Sequence, residues 1–272
     1  MEGIEVGDLT IAYERQGDGP PIVLLHGGLS DHREWRAQID GLSDEFTVVA
    51  WDTPGAGGSS DPPESFRMPD YADALAAFIE VLDLGSPHVL GLSWGSTLAL
   101  ELTRRRPDLP RTLVLTGAYA GWAGSLSPEE VARRLETSLR DLDALPREAF
   151  VRTWVPSLFA EQTPTDVVER YVAIMAECHR DGVRAMLTAI AEADLRTVLP
   201  KISIPTLLLY GERDARSPLA VAEEMHEAIP GSTLVVLPDV GHMGNLEAPE
   251  PFNETVRSFL RSAGGAPRLR EG

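Results

Sequence analysis

The chain has 272 residues, of which 43% are hydrophobic and 24% are charged, and its formal net charge is −18 at pH 7. These values fit one large α/β domain with an insertion, and they argue against binding to nucleic acid or to an anionic membrane, because both need Lys and Arg to meet phosphate. The single cysteine, Cys178, excludes an intramolecular disulfide and a thiolate metal cluster. Neither a secretory signal nor an apolar run of the roughly 20 residues that span a bilayer is visible, so we expect a cytoplasmic protein.

Strands and helices alternate along most of the chain. Unalternating apolar runs predict strands that are buried on both faces, and helical spacing of apolar residues predicts the segments between them. The predicted strands are 4–6, 9–14, 22–25, 46–51, 88–92, 111–116, 206–210 and 233–237, and the helices among them are 71–84, 94–106 and 250–261. This alternation is typical of an α/β fold with an eight-stranded, doubly wound, mostly parallel sheet.

The alternation stops between about residues 120 and 200, where no convincing strand is found. Ser127 and Pro128 form a helix start, and helical stretches follow at 129–145, 165–179 and 183–193. We therefore predict a helical cap over residues 120–200, inserted into a core made of residues 1–119 and 201–262. Residues 263–272 are predicted to form a flexible tail.

The segment Gly91-Leu92-Ser93-Trp94-Gly95 fits the G-x-S-x-G nucleophile elbow. A predicted strand precedes it and a predicted helix follows it, which is the structural context that the motif requires. The glycines allow backbone segments to pass closely, and the helix directs free N–H groups toward a developing anion. Ser93 is therefore the candidate nucleophile.

A serine hydroxyl needs an adjacent base, and six histidines compete for that role. His242 follows the last strand, so it is expected at the carboxyl edge of the sheet, where Ser93 also emerges. The other five are interpreted as structural or surface groups: His26, His32, His88, His179 and His226. Of these, His32 and His226 are expected at exposed positions.

The acid that orients the imidazole is predicted to be Asp214, which follows the strand 206–210 and so lies at the same edge. Glu212 is the nearest rival.

The tetrahedral intermediate also needs an oxyanion hole. The candidate donors are the N–H of Trp94, which follows the nucleophile, and the N–H of Gly28, which follows the third strand. The glycine-rich loop from Asp52 to Ser59 lacks a complete phosphate-binding or dinucleotide-binding motif and is interpreted as a tight structural loop.

Four residues of the predicted cap are candidates to line an apolar substrate pocket, although each could equally belong to the core: Trp122, Trp154, Phe159 and Met175. Cys178 and His179 are not expected to act as a nucleophile pair, because neighbouring side chains on a helix do not face each other.

These motifs together resemble the α/β-hydrolase superfamily, from His26-Gly27-Gly28 to Gly241-His242. Ser93 separates the chain from the dehalogenase and epoxide-hydrolase branches, which carry Asp at that position. The run 207–214 resembles 3-oxoadipate enol-lactonases and related esterases. The run 93–100 is similar to proline iminopeptidases, which use cap acids to hold a substrate amine; Glu177, Glu192 and Asp194 are the candidates here.

The resemblance implies a serine hydrolase that acts through an acyl-enzyme on carboxylic esters or lactones with a small to medium apolar acyl part, with no metal and no organic cofactor. A proline iminopeptidase and a carbon–carbon bond hydrolase remain alternatives within the same fold. A ligand receptor built on the same scaffold is the alternative that is not an enzyme. The sequence leaves open whether the chain forms a homo-oligomer.

Overall fold

A computed structural model describes residues 1–264 of the protein. The strands are β1 (Glu2–Val6), β2 (Leu9–Gln16), β3 (Pro21–Leu25), β4 (Thr47–Trp51), β5 (His88–Leu92), β6 (Thr112–Thr116), β7 (Thr206–Gly211) and β8 (Thr233–Leu237). The helices are α1 (Arg36–Leu42), α2 (Met68–Val81), α3 (Trp94–Arg105), α4 (Trp122–Ser125), α5 (Pro128–Ala144), α6 (Arg147–Arg152), α7 (Val155–Leu158), α8 (Thr165–Met175), α9 (Arg180–Glu192), α10 (Leu219–Ala228), α11 (Gly244–Glu247) and α12 (Pro249–Gly264).

The strands form one eight-stranded sheet in the order β1-β2-β4-β3-β5-β6-β7-β8. Strand β2 pairs antiparallel with both β1 and β4, and the remaining pairs are parallel. The central strands β4, β5, β6 and β7 are buried along their whole length, as their continuous apolar runs predict. The predicted α/β-hydrolase architecture, with its mostly parallel sheet of eight strands, is confirmed.

Most predicted element bounds agree with the structure to within a few residues. The helix predicted at 71–84 begins three residues earlier, because Pro69 suits a first turn and the Asp70 carboxylate accepts the N–H of Arg67 at 2.8 Å. Helices α1 and α10 were not predicted, since both are short and carry weak apolar periodicity. The predicted flexible tail begins inside α12 and otherwise lies outside the described residues.

Six helices, α4 to α9, lie between β6 and β7, and we call residues 120–200 the insertion. Its division from the core as a separate cap remains a prediction. One contact between the two is made by main chain alone: a Cβ built on Gly182 of α9 would lie 2.0 Å from the carbonyl oxygen of Gly55, and one built on Gly55 would lie 2.6 Å from the Cα of Gly182. Glycine is therefore required on both sides of this contact.

In the described part of the chain, no helix is both long enough and apolar enough to cross a membrane.

Candidate active site

Ser93 lies between the end of β5 and the start of α3, with φ 53° and ψ −106°. A non-glycine residue rarely adopts a positive φ, and such strain persists only where the surroundings impose it. Here the Ser93 N–H donates to the carbonyl of Thr116 on the neighbouring strand at 2.8 Å. The turn therefore holds the hydroxyl at the carboxyl edge of the sheet, beside the first free N–H groups of a helix.

The two glycines of the motif are required by packing. A Cβ on Gly91 would lie 2.4 Å from the carbonyl carbon of Gly95, and a Cβ on Gly95 would lie 2.1 Å from the carbonyl oxygen of Leu25. Both distances are far shorter than any real Cβ contact. Only glycine at these positions lets the turn after β5 fold against α3 and β3.

His242 and Asp214 are buried and joined by a hydrogen bond, with 2.8 Å between His242 Nδ1 and Asp214 Oδ2. The other carboxylate oxygen, Oδ1, accepts the backbone N–H groups of Arg216 at 2.9 Å and Ser217 at 2.7 Å. Because a carboxylate can only accept, the imidazole proton lies on Nδ1 and the lone pair lies on Nε2. Nε2 is buried and has no hydrogen-bond partner among the described residues, so it is free to accept a proton inside the cavity that Ser93 also lines.

The rivals of these two residues lie elsewhere. Glu212 is exposed, and its carboxylate accepts the N–H of Asp239 at 3.1 Å. The buried imidazole of His26 joins two loops, since Nδ1 lies 2.7 Å from the carbonyl oxygen of Gly27 and Nε2 accepts the N–H of Thr53 at 2.9 Å. Burial lowers the pKa of His26, which favours this neutral, bridging form.

The prediction that His32 is exposed was wrong. Its ring is buried, and Nδ1 lies 2.8 Å from Asp52 Oδ1. Burial by itself lowers the pKa of His32, but the hydrogen bond and the charge of Asp52 raise it overall. The sequence could not show this, because the partner lies 20 residues away. The second carboxylate oxygen of Asp52 accepts the N–H of Gly58 at 2.8 Å, so this carboxylate organises the loop 52–59.

The N–H groups proposed for the oxyanion hole border the same cavity as the serine. In the described residues, the N–H of Gly28 and that of Trp94 have no acceptor. The neighbouring N–H of Gly27 is already taken, because it donates to Glu34 Oε1 at 2.9 Å. Of the two glycines after His26, Gly28 is thus the one with a free donor.

Glu34 is a buried carboxyl group that the sequence analysis did not identify. Besides the N–H of Gly27, it accepts the hydroxyl of Tyr171 at 3.3 Å. Burial raises the pKa of Glu34 to about 8, in spite of these hydrogen bonds. The group is consequently neutral over much of the physiological range, and it fixes the loop that carries Gly28.

Ser93, His242, Gly28 and Trp94 line one cavity. The structure places Trp122 and Trp154, two of the four pocket candidates, on its wall. Further wall residues that were not predicted to line a pocket are Gly27, Leu29, Leu92, Leu158, Tyr171, Met186, Leu187, Ile190, Arg216 and Met243. Most of them are apolar, and half of them come from the insertion.

Phe159 and Met175, the other two pocket candidates, do not line this cavity. Phe159 stands behind the wall, edge-on to Tyr171 with 5.7 Å between ring centroids. Met175 is fully buried in the core. Both are apolar residues on or beside helices of the insertion, and only tertiary packing separates wall residues from the residues behind them.

One cluster in the described residues brings three metal-ligating side chains together: Asp31, His32 and Asp52. Its polar atoms are already engaged, because Asp31 binds Arg33 at 2.7 Å and Asp52 binds His32 and the backbone of Gly58. These hydrogen bonds give the three side chains a structural role in holding the loops beneath the cavity.

The three acids considered for an iminopeptidase each pair with an arginine. The pairs are Glu177–Arg33 at 2.9 Å, Glu192–Arg67 at 3.1 Å and Asp194–Arg196 at 2.5 Å. None of the three acids is among the residues that line the cavity. A substrate amine bound in the cavity would therefore contact none of these three acids.

Cys178 and His179 do not form a pair either. Burial raises the pKa of the Cys178 thiol, which disfavours the reactive thiolate. The imidazole of His179 instead lies 2.7 Å from a carboxylate oxygen of Asp61.

Comparisons with known proteins identify the family of the chain. Residues 20–249 match the alpha/beta hydrolase fold family. The 3-oxoadipate enol-lactonase 2 of Acinetobacter baylyi is 28% identical over 93% of this chain and 93% of its own length. A thermophilic esterase from Thermogutta terrifontis, solved with malate bound, superposes with a TM-score of 0.90 at 31% identity, covering 97% of this chain and 99% of that one.

The enol-lactonase from Burkholderia xenovorans LB400 superposes with a TM-score of 0.85 at 25% identity, covering 96% of this chain and 100% of that one. These matches confirm the predicted resemblance to enol-lactonases and related esterases. The chain belongs to the alpha/beta hydrolase family.

Proposed function

We propose that the protein is a serine hydrolase that cleaves small carboxylic esters or lactones through an acyl-enzyme on Ser93. The observation that carries the proposal is the buried pair of His242 and Asp214, whose unpartnered Nε2 borders the same cavity as the serine of the strained turn. The enol-lactonase and esterase relatives support the ester or lactone class.

In the proposed mechanism, Ser93 Oγ attacks the carbonyl carbon while its proton passes to His242 Nε2. The N–H groups of Gly28 and Trp94 stabilise the oxyanion, a contribution of about 10²–10³ in rate for one donor in comparable enzymes. Asp214 stabilises the imidazolium and keeps its orientation.

The tetrahedral intermediate then collapses, and the bond to the leaving oxygen breaks as His242 returns the proton to it. A water molecule next attacks the acyl-enzyme and gives its proton to the same nitrogen. Collapse of the second intermediate releases the carboxylic acid and restores the serine hydroxyl. Every proton is thus accounted for by one imidazole, and the largely apolar wall suits the carbon chain of a small acyl group.

The test combines labelling with substitution. We expect a fluorophosphonate to label Ser93, as located by mass spectrometry, and Ser93→Ala to lose the label and at least 10³-fold in the hydrolysis of a short p-nitrophenyl ester. Ser262→Ala, on the exposed end of α12, is the matched control and should keep both. Labelling at another residue, or activity retained by Ser93→Ala, would refute the assignment.

A parallel screen of p-nitrophenyl esters, lactones and proline arylamides then assigns the substrate class. Turnover of esters or lactones at least 10²-fold faster than of arylamides is the expected result. Preference for the arylamides would replace the proposal with the iminopeptidase alternative.

A further inference from the structure

Arg216 lies on the wall of the catalytic cavity. Its backbone N–H donates to Asp214 Oδ1 at 2.9 Å, so its position is tied to the carboxylate beside His242. Its carbonyl oxygen accepts the hydroxyl of Tyr119 and an N–H of Arg134. These contacts fix the main chain of Arg216 beside the catalytic carboxylate.

The guanidinium of Arg216 lies against two indole rings. Its Cζ atom is 4.2 Å from the ring centroid of Trp154 and 5.4 Å from that of Trp122. Cations at such distances from an indole face are attracted to it by the ring quadrupole. The two tryptophans therefore fix the direction of the side chain and shield it from water on their side.

This cation makes no ion pair with a carboxylate among the described residues, although the charges of Asp214 and Glu130 act on it at longer range. Across residues 1–264, the guanidinium makes neither an ion pair nor a hydrogen bond to protein, although 42 Asp and Glu residues are present in the sequence. The nearby Arg134 differs, because it pairs with Glu130 at 2.6 Å. Burial lowers the pKa of Arg216 to about 10, so the group remains cationic at neutral pH.

A partly desolvated guanidinium with unused N–H donors is matched to a planar anion that can accept two of them. The rest of the wall is mostly apolar, and one unpaired guanidinium balances one negative charge. These features favour a carboxylate over a phosphate monoester, which would bring close to two charges into the cavity.

We propose that Arg216 is the specificity residue for substrates that carry a free carboxylate in addition to the ester or lactone that is cleaved. The inference rests on the proposed function, which it deepens by naming the substrate class. It predicts that half-esters of small dicarboxylic acids are better substrates than neutral esters of the same length.

The kinetic test compares monomethyl glutarate with methyl pentanoate, which differ only in a terminal carboxylate or methyl group. We expect wild-type kcat/KM to favour the half-ester at least tenfold, and Arg216→Gln to lower that ratio at least tenfold, mainly through KM. Arg216→Lys, which keeps the charge but not the planar guanidinium, should give a ratio between those of the wild type and Arg216→Gln. Arg133→Gln removes the same charge from outside the catalytic cavity and should keep the wild-type ratio.

A binding test separates this inference from the proposed chemistry. Calorimetry of Ser93→Ala with monomethyl glutarate, which carries one negative charge, should give a Kd at least tenfold lower than with neutral dimethyl glutarate, and the added change Arg216→Gln should abolish the difference. An unchanged half-ester ratio and unchanged half-ester binding in Arg216→Gln would overturn the inference while leaving ester hydrolysis intact. Half-ester binding that depends on Arg216, in a wild-type protein that cleaves no ester, would instead overturn the proposed function alone.

Discussion

Replacing the buried Glu34 by glutamine should change how stability depends on pH. The carboxyl accepts the N–H of Gly27 and the hydroxyl of Tyr171 in a site from which water is excluded. Burial raises its pKa from 4.5 to about 8. Between these two pH values the folded protein therefore holds a proton that the unfolded chain has released, and the free energy of unfolding falls as the pH rises.

The expected magnitude follows from this difference in proton binding. Each pH unit in the window lowers the free energy of unfolding by about 1.4 kcal/mol, and the effect levels off above pH 8, where both states are ionised. In Glu34→Gln, the amide oxygen can still accept the N–H of Gly27 and the side chain cannot ionise. The stability difference, variant minus wild type, should thus grow by about 3 kcal/mol between pH 5 and pH 7.5.

Urea unfolding followed by circular dichroism at pH 5, 6, 7 and 8.5 measures this difference directly. Glu64→Gln, which changes an exposed carboxyl, is the matched control and should run parallel to the wild type at every pH. If the Glu34→Gln curve also ran parallel, the carboxyl would titrate as it does in the unfolded chain, and the argument from burial would be wrong.

Three further predictions concern the catalytic frame. Asp214→Asn should lower kcat on the order of 10³–10⁴-fold, because an amide can turn its N–H toward His242 Nδ1 and favour the wrong tautomer; an unchanged kcat would remove Asp214 from the mechanism. Ser93→Gly should unfold at a free energy about 1 kcal/mol higher than Ser93→Ala, since glycine relieves the positive φ that both serine and alanine must adopt; equal stabilities in urea would show that the turn is not strained. Gly95→Ala should lower the free energy of unfolding by about 3 kcal/mol or more, or fail to fold, because its Cβ would meet the Leu25 carbonyl. Gly85→Ala, with open space around it and φ 61°, should lower the free energy of unfolding by only about 1 kcal/mol. Similar losses of stability in the two variants would contradict the role of packing at Gly95.

The sheet could be predicted from the sequence because local signals determine it. Runs such as Ile22–Leu25 and Leu207–Leu209 are apolar without alternation, which suits only a strand covered on both faces. The elbow is equally local, since five consecutive residues specify the turn, the helix start and the close contact of Gly91 with Gly95. In parallel strands, position along the strand also predicts which loops meet at one edge, and this placed Asp214 and His242 together.

The cavity wall could not be predicted in the same way. Trp154 and Phe159 are both aromatic residues of the insertion, yet one faces the cavity and the other stands behind Tyr171. Glu34 and Arg216 were not identified from the sequence, because their surroundings depend on residues far away along the chain. The burial of a charged side chain depends on the packing of the whole tertiary structure, and it cannot be predicted from a local sequence pattern.

The main-chain contact of Gly55 with Gly182 limits how the cavity can open. Because no side chain intervenes, no change of rotamer can alter the gap between these two backbones. Helix α9 supplies Met186, Leu187 and Ile190 to the wall from just beyond this point. The spacing between this part of the wall and the loop 52–59 is therefore set by main chain and not by flexible side chains.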